Sequence, residues 1–168
     1  MNFSEVKEQA LSYLDEVGTS DYDDRIDGFI DEAQLIIATQ WGFIRKKAEL
    51  EAVDGAAELP SDCFAIEKVI GGTFEEEPMD EGEKRMITLS GSADGKYTLV
   101  YKAYPPKGRI LIPQECHPAL CILAAANTQL AEDNKQTYQL LLERYNNEAA
   151  MVERARSLTG KARVIVRG

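Results

Sequence analysis

The side chains of this sequence with the most reactive chemistry are three cysteines and one histidine: Cys63, Cys116, Cys121 and His117. A thiol becomes a nucleophile when an imidazole takes its proton, and thiolates and imidazoles together make zinc sites. The spacing suits neither use. Cys116 and His117 are adjacent and so point in different directions, no second histidine completes a tetrahedral set, and no serine is placed locally for a Ser-His-Asp arrangement. On the Ala-rich apolar stretch after His117, a cysteine is expected to be a small buried filler. Asp21, Asp23 and Asp24 form an acidic cluster, but no glycine-bearing calcium loop follows them. In a helix's first turn they would simply complement the dipole. The chain also lacks a phosphate-cradling glycine loop, a nucleophile elbow and a histidine pair. No catalytic residue, metal ligand or cofactor is expected.

The elements that would position any such groups are legible from periodicity. Asn2 and Glu5 have the spacing of a capping box, and Phe3, Val6, Ala10, Tyr13, Leu14 and Val17 recur at helical intervals up to Gly18. Ser20 and Asp23 repeat the start signal for a second helix, whose stripe is Tyr22, Ile26, Phe29, Ile30, Ala33, Ile37 and Trp41, ending at Gly42. From residue 44 the period becomes that of strands: Ala48, Leu50 and Ala52 alternate with charged residues, and Asp54-Gly55 is a hairpin signal. Further strands are expected over 64–70, 85–89 and 96–103, with an acidic surface loop over 75–83. The helical period then returns at Pro118 with Leu120, Leu123, Ala124, Asn127 and Leu130, breaks at Glu132-Asp133-Asn134 as a turn or a bend, and resumes with Tyr138, Leu141, Leu142, Tyr145, Ala149, Val152 and Ala155.

Helices supplied from both ends of a chain pack as one bundle, so the strands between them form an insertion. The expected fold is α+β in one domain of 168 residues. Helices at about 3–41 and 115–157 make the bundle, residues 44–113 a central antiparallel β-insertion, and 158–168 an extended C-terminal tail. Phe29, Ile30, Ile37, Trp41, Leu120, Leu123, Leu141 and Tyr145 are the expected bundle core.

Charge restricts function further. A formal net charge of −10 argues against a protein that wraps nucleic acid, which needs a basic face. The charge is also uneven: residues 1–34 hold ten acids against Lys7 and Arg25, whereas from Met151 onward Arg154, Arg156, Lys161, Arg163 and Arg167 face only Glu153. Opposite potentials at two ends suit head-to-side contacts between copies or with an acidic partner. In the tail, Lys161, Arg163, Val164, Ile165, Val166 and Arg167 form a basic, β-branched strip able to add a strand to a neighbouring sheet. The first residues lack the layout of a signal peptide and no apolar run reaches the length of a membrane span, so a reducing cytoplasm is the expected site of synthesis.

Several segments taken in order resemble one family: Ile36-Ile-Ala-Thr-Gln-Trp41 closing the paired N-terminal helices; Glu58-Leu-Pro-Ser-Asp-Cys-Phe64 leading into a strand; Gly95-Lys-Tyr-Thr-Leu-Val-Tyr-Lys-Ala-Tyr-Pro-Pro106; and Ile112-Pro-Gln-Glu-Cys-His-Pro-Ala-Leu120 leading into an Ala-rich helix. Their order resembles that of the head–tail connector adaptor proteins of tailed double-stranded DNA bacteriophages, the short-tailed type above all. The stretch Arg109-Ile-Leu-Ile112 departs from it, since a longer polar loop is the family's habit there. The resemblance implies a structural virion protein, made in a bacterial cytoplasm and placed at the head–tail interface. It would form a ring of twelve copies beneath the portal protein. The bundle would build the ring, the C-terminal extension would grip the portal or a neighbouring adaptor subunit, and the β-insertion would face the tail or nozzle protein. DNA would pass through without sequence recognition, with no membrane or cofactor involved. The residues alone leave open a non-viral acidic protein-binding module and, more distantly, an enzyme built around Cys116 and His117.

Overall fold

In the computed structural model of the chain, the residues described are 1–14, 23–76, 85–90, 94–159 and 164–165. Val17, Gly18, Ser20, Asp21 and Tyr22, the acidic segment from residue 77, and Lys161, Arg163, Val166 and Arg167 of the expected tail lie outside them. The architecture is mixed α+β, with four helices and two small antiparallel sheets. The chain divides into two compact units, one helical (residues 1–43 and 105–164) and one of strands (44–104 and 165–168).

In the helical unit α1 spans Phe3–Tyr13 and α2 Asp23–Trp41. The capping box is present: the Asn2 side chain accepts from the Glu5 amide and the Glu5 carboxylate accepts from the Asn2 amide, so two of the orphan donors at the helix start are satisfied reciprocally. The sequence expectation carried this helix to Val17. It stops at Tyr13, where the cap residue Leu14 turns its amide back to Leu11 and Ser12 and tightens the last turn. A 3-10 turn over Gln114–Cys116 leads into α3, His117–Ala131, with Pro118 in its first turn, and α4 runs over Lys135–Thr159.

Helix α3 packs against α1, α2 and α4. Its residues are buried almost all round, from Ala119 through Ala126. Alanines and Cys121 make this possible, because small side chains let three neighbours approach one axis. Of the expected core, Ile30, Ile37, Leu120, Leu123, Leu141 and Tyr145 are buried, while Phe29 and Trp41 are half-buried. Leu130, in the last turn of α3, and Ala155, in the C-terminal part of α4, belong to the sequence stripes yet are exposed. The acidic break is a turn: Asp133 takes a left-handed φ of 56°, and the Asn134 side chain accepts from the Thr137 amide, capping α4.

In the strand unit β1 is Ile44–Ala52, β2 Ala56–Glu58, β3 Cys63–Ile70, β4 Thr73–Glu76, β5 Met86–Ser90 and β6 Gly95–Ala103. A two-residue turn with positive φ at both Asp54 (53°) and Gly55 (77°) joins β1 to β2, the primed geometry that an Asp-Gly pair favours. One sheet has the order β3-β6-β1-β7, where β7 is Val164–Ile165, and the other has the order β2-β5-β4. Consecutive β5 and β6 therefore enter different sheets. Glu75 and Glu76, expected in the acidic loop, form the end of β4 and pair with Thr88 and Ile87 of β5.

Candidate functional site

The groups with reactive chemistry are held apart by packing. Burial pushes the Cys116 and Cys121 thiols up to about 12 and raises that of Cys63, the reverse of what a nucleophile needs. Both ring nitrogens of His117 are engaged elsewhere: Nδ1 lies 3.1 Å from the amino group of Met1, and Nε2 lies 3.2 Å from the Ile112 carbonyl. No thiolate–imidazole pair is assembled. Among the described residues no group of three His, Cys, Asp or Glu side chains is arranged to hold a metal, and no helix is long and apolar enough to cross a membrane.

The His117 geometry carries a pH dependence. Burial lowers the imidazole pKa below its usual value, against a smaller upward effect of the Ile112 carbonyl. The unfolded chain therefore binds a proton that the folded chain refuses, and the stability present above a pH of about 6.5 is lost as the pH falls from there through the lowered folded value. The His117→Gln variant keeps a donor for Ile112 but cannot charge. Its denaturation midpoint should lose that segment of the wild-type slope, which parallel urea titrations between pH 7 and pH 5 would detect.

Polar fastening is concentrated where each unit turns. In the helical unit, buried Gln34 donates from Nε2 to the Arg109 carbonyl (3.0 Å) and accepts at Oε1 from the Leu111 amide (2.7 Å), while Asp31 accepts from the Gly108 amide at 2.8 Å. These bonds hold the Arg109-Ile-Leu-Ile112 stretch on α2. The far end of α2 is tied to α4 by Trp41 Nε1 donating to Glu153 (3.0 Å), and the Arg156 guanidinium lies 4.2 Å over the Phe43 ring. In the strand unit Asp62 accepts from the Tyr101 hydroxyl at 3.0 Å and pairs with Lys46 at 2.5 Å. Burial is the main reason the Tyr101 phenol is raised well above its usual range.

Val164 and Ile165 of the expected tail form β7, beside β1 in the sheet order. A further surface was missed by sequence reasoning: one face of the β3-β6-β1 sheet is cationic. Arg45 stands opposite Lys102, and Lys47 opposite Val100, which in turn stands opposite Lys68. Alternation puts Arg45, Lys47, Lys68 and Lys102 on the same face. The signal was available only as period-2 spacing within each strand, and the register between strands is what gathers it.

No curated protein matches the chain. The sequence model of the SU10 adaptor protein family matches residues 1–167. A central small-residue helix, helices contributed from both ends of the chain and a β-insertion between them are thus the frame of a phage structural component, and the chain belongs to the SU10 adaptor protein family.

Proposed function

We propose that this chain is one subunit of the adaptor ring that joins the portal vertex of a tailed phage capsid to the tail and continues the DNA channel. The observation that carries the reading is the family match over the whole chain, supported by the arrangement of a helical unit, a separate strand unit and a basic C-terminal strip. Neighbouring subunits, twelve to a ring of the short-tailed type, contact one another. The strand unit meets the tail or nozzle protein. DNA passes without sequence recognition, as a net charge of −10 repels phosphates instead of holding them. The role is structural and uses no cofactor.

In this reading Lys161, Arg163, Val164, Ile165, Val166 and Arg167 clamp the portal or an adjacent adaptor subunit. A β-branched strip gives main-chain hydrogen bonds to a partner's sheet edge, and its cations set register. Deleting residues 160–168 should leave the melting temperature within about 2 °C of wild type, because a terminal strand of two residues holds little of the core. The same deletion should abolish co-sedimentation with purified portal, and Arg163→Glu/Arg167→Glu should weaken it in a salt-sensitive way. Normal portal binding by the truncated chain would exclude the clamp.

A further inference from the structure

The strand unit and the helical unit each carry an exposed surface that a tail clamp leaves unused, and these two are complementary in charge and apolarity. On the strand unit, Arg45, Lys47 and Lys68 line a depression of about 200 Å³ whose floor is buried Val100 and whose rim is Ile70, 49% exposed. Arg45 is paired with Glu67, but its Nε is buried and lacks an acceptor. Among the described residues Lys47 and Lys68 have no carboxylate within ion-pair distance. Glu49, in the next row beside Thr98 and Ile70, ends the cationic area.

On the helical unit, Gly28, Glu32, Leu35 and Ile36 share one stripe of α2 at helical spacing. Leu35 and Ile36 are 38% and 39% exposed, and Glu32 is exposed and makes no ion pair among the described residues. Gly28 is the independent clue. A glycine inside a helix is unfavourable relative to alanine, and neither backbone conformation nor packing within this chain requires one: its φ is not positive, and a Cβ built there would meet nothing within 4 Å. A residue without a side chain on an open stripe admits the close approach of another chain.

We infer that the Gly28–Glu32–Leu35–Ile36 face of α2 in one copy docks on the Lys47–Lys68–Ile70 face of the strand unit in the next. This rests on the ring reading above and names the surfaces that close it. The occupant is a second copy because the complement is written in this chain itself: a carboxylate flanked by two aliphatic side chains meets two ammonium groups, unpaired among the described residues, flanked by one. Such a contact is head-to-side, and heterologous contacts of this kind generate rings when the rotation between copies closes. A phosphate backbone would answer the cations but not Ile70.

The test mixes full-length Ile36→Cys with full-length Ile70→Cys under mild oxidation, the native cysteines being buried, and repeats it in particles grown with both variants. Mixed 36–70 disulfide dimers should exceed those of either variant alone at least tenfold. Lys47→Glu/Lys68→Glu should cut self-association measured by sedimentation tenfold or more, and adding Glu32→Lys should restore much of it. Gly28→Leu should weaken association without lowering the melting temperature, which separates a docking role from a folding role. Absence of the mixed cross-link overturns the inference, as do equally abundant 36–36 or 70–70 cross-links. Loss of short-duplex DNA binding on Lys47→Glu/Lys68→Glu, with no mixed cross-link, overturns it in favour of a nucleic-acid face. Particles that contain the chain at the head–tail junction but no 36–70 linkage sink this contact and leave the ring role standing. A chain absent from that junction sinks the ring role, and the cross-link in solution then judges the contact alone.

Discussion

Replacing Ile30 with aspartate is expected to abolish cooperative folding of the helical unit. Ile30 is 0% exposed on α2, so the substitution loses a fully buried aliphatic side chain, worth about 1.5–3 kcal/mol, and puts a carboxylate where no cation waits. A buried unpaired charge costs several kcal/mol more, against a total stability of about 5–15 kcal/mol for a domain. Circular dichroism should show loss of helix or a melt lowered by tens of degrees. Ile36→Asp, six residues along the same helix but 39% exposed, is the control and should melt within a few degrees of wild type. Equal melting of the Ile30 variant and wild type would remove α2 from the core.

The second large effect is expected at Gln34. Its side chain is 0% exposed and serves two backbone groups at once, the Arg109 carbonyl and the Leu111 amide. In Gln34→Ala both part-buried backbone groups lose their partner, at about 1 kcal/mol each where water can replace it and up to about 3 where it cannot, and a cavity is left. A loss of roughly 2–5 kcal/mol follows, which for a chain of this size lowers the melting temperature by about 4–20 °C. Gln34→Glu should also be costly at neutral pH, because the carboxylate still accepts from Leu111 but cannot donate to Arg109. Hydrogen exchange gives the local readout: the Leu111 amide should lose protection in the alanine variant ahead of the amides of α3. Unchanged protection at Leu111 would mean that the linker is held by other contacts.

The helices were legible wherever one apolar stripe coincided with chemical punctuation. The Asn2–Glu5 capping box and Pro118 each mark a helix start in the structure as in the sequence. Periodicity alone was less reliable at helix ends, because a stripe can outrun the neighbour that covers it. Leu130 and Ala155 continue the pattern but not the burial. Most strands were found, including the Asp54-Gly55 hairpin, but β4 was missed because its Glu75 and Glu76 read as acidic loop, and the strands' partners were not readable: β5 and β6 follow one another in sequence and join different sheets. Pairing is a long-range choice, and local residue preference says little about it. The same reason hid the cationic face, whose lysines and arginine come from β1, β3 and β6 and become neighbours only through register. Gln34 was hidden differently. A buried amide lying on an apolar stripe has no periodic signature, and its value depends on backbone groups some 75 residues away.

The insertion of one unit within the other also governs how the protein comes into being on the ribosome. The strand unit is built almost wholly from the continuous segment 44–104, whereas the helical unit needs α1 and α2 from before it and α3 from after it. Since α3 is the helix against which both N-terminal helices pack, they emerge first and wait for their partner. At roughly 5–20 residues per second, translating from α2 to the start of α3 takes about 4–15 s, ample for a β domain of this size to form in the interval. Once formed, it holds its two ends as a short, fixed linkage in place of a long flexible loop, removing much of the chain entropy that bringing α2 and α3 together would otherwise cost. The inner unit is in this sense a template for the outer one, and a lesion in the strands would first be seen as slow or failed closure of the helices.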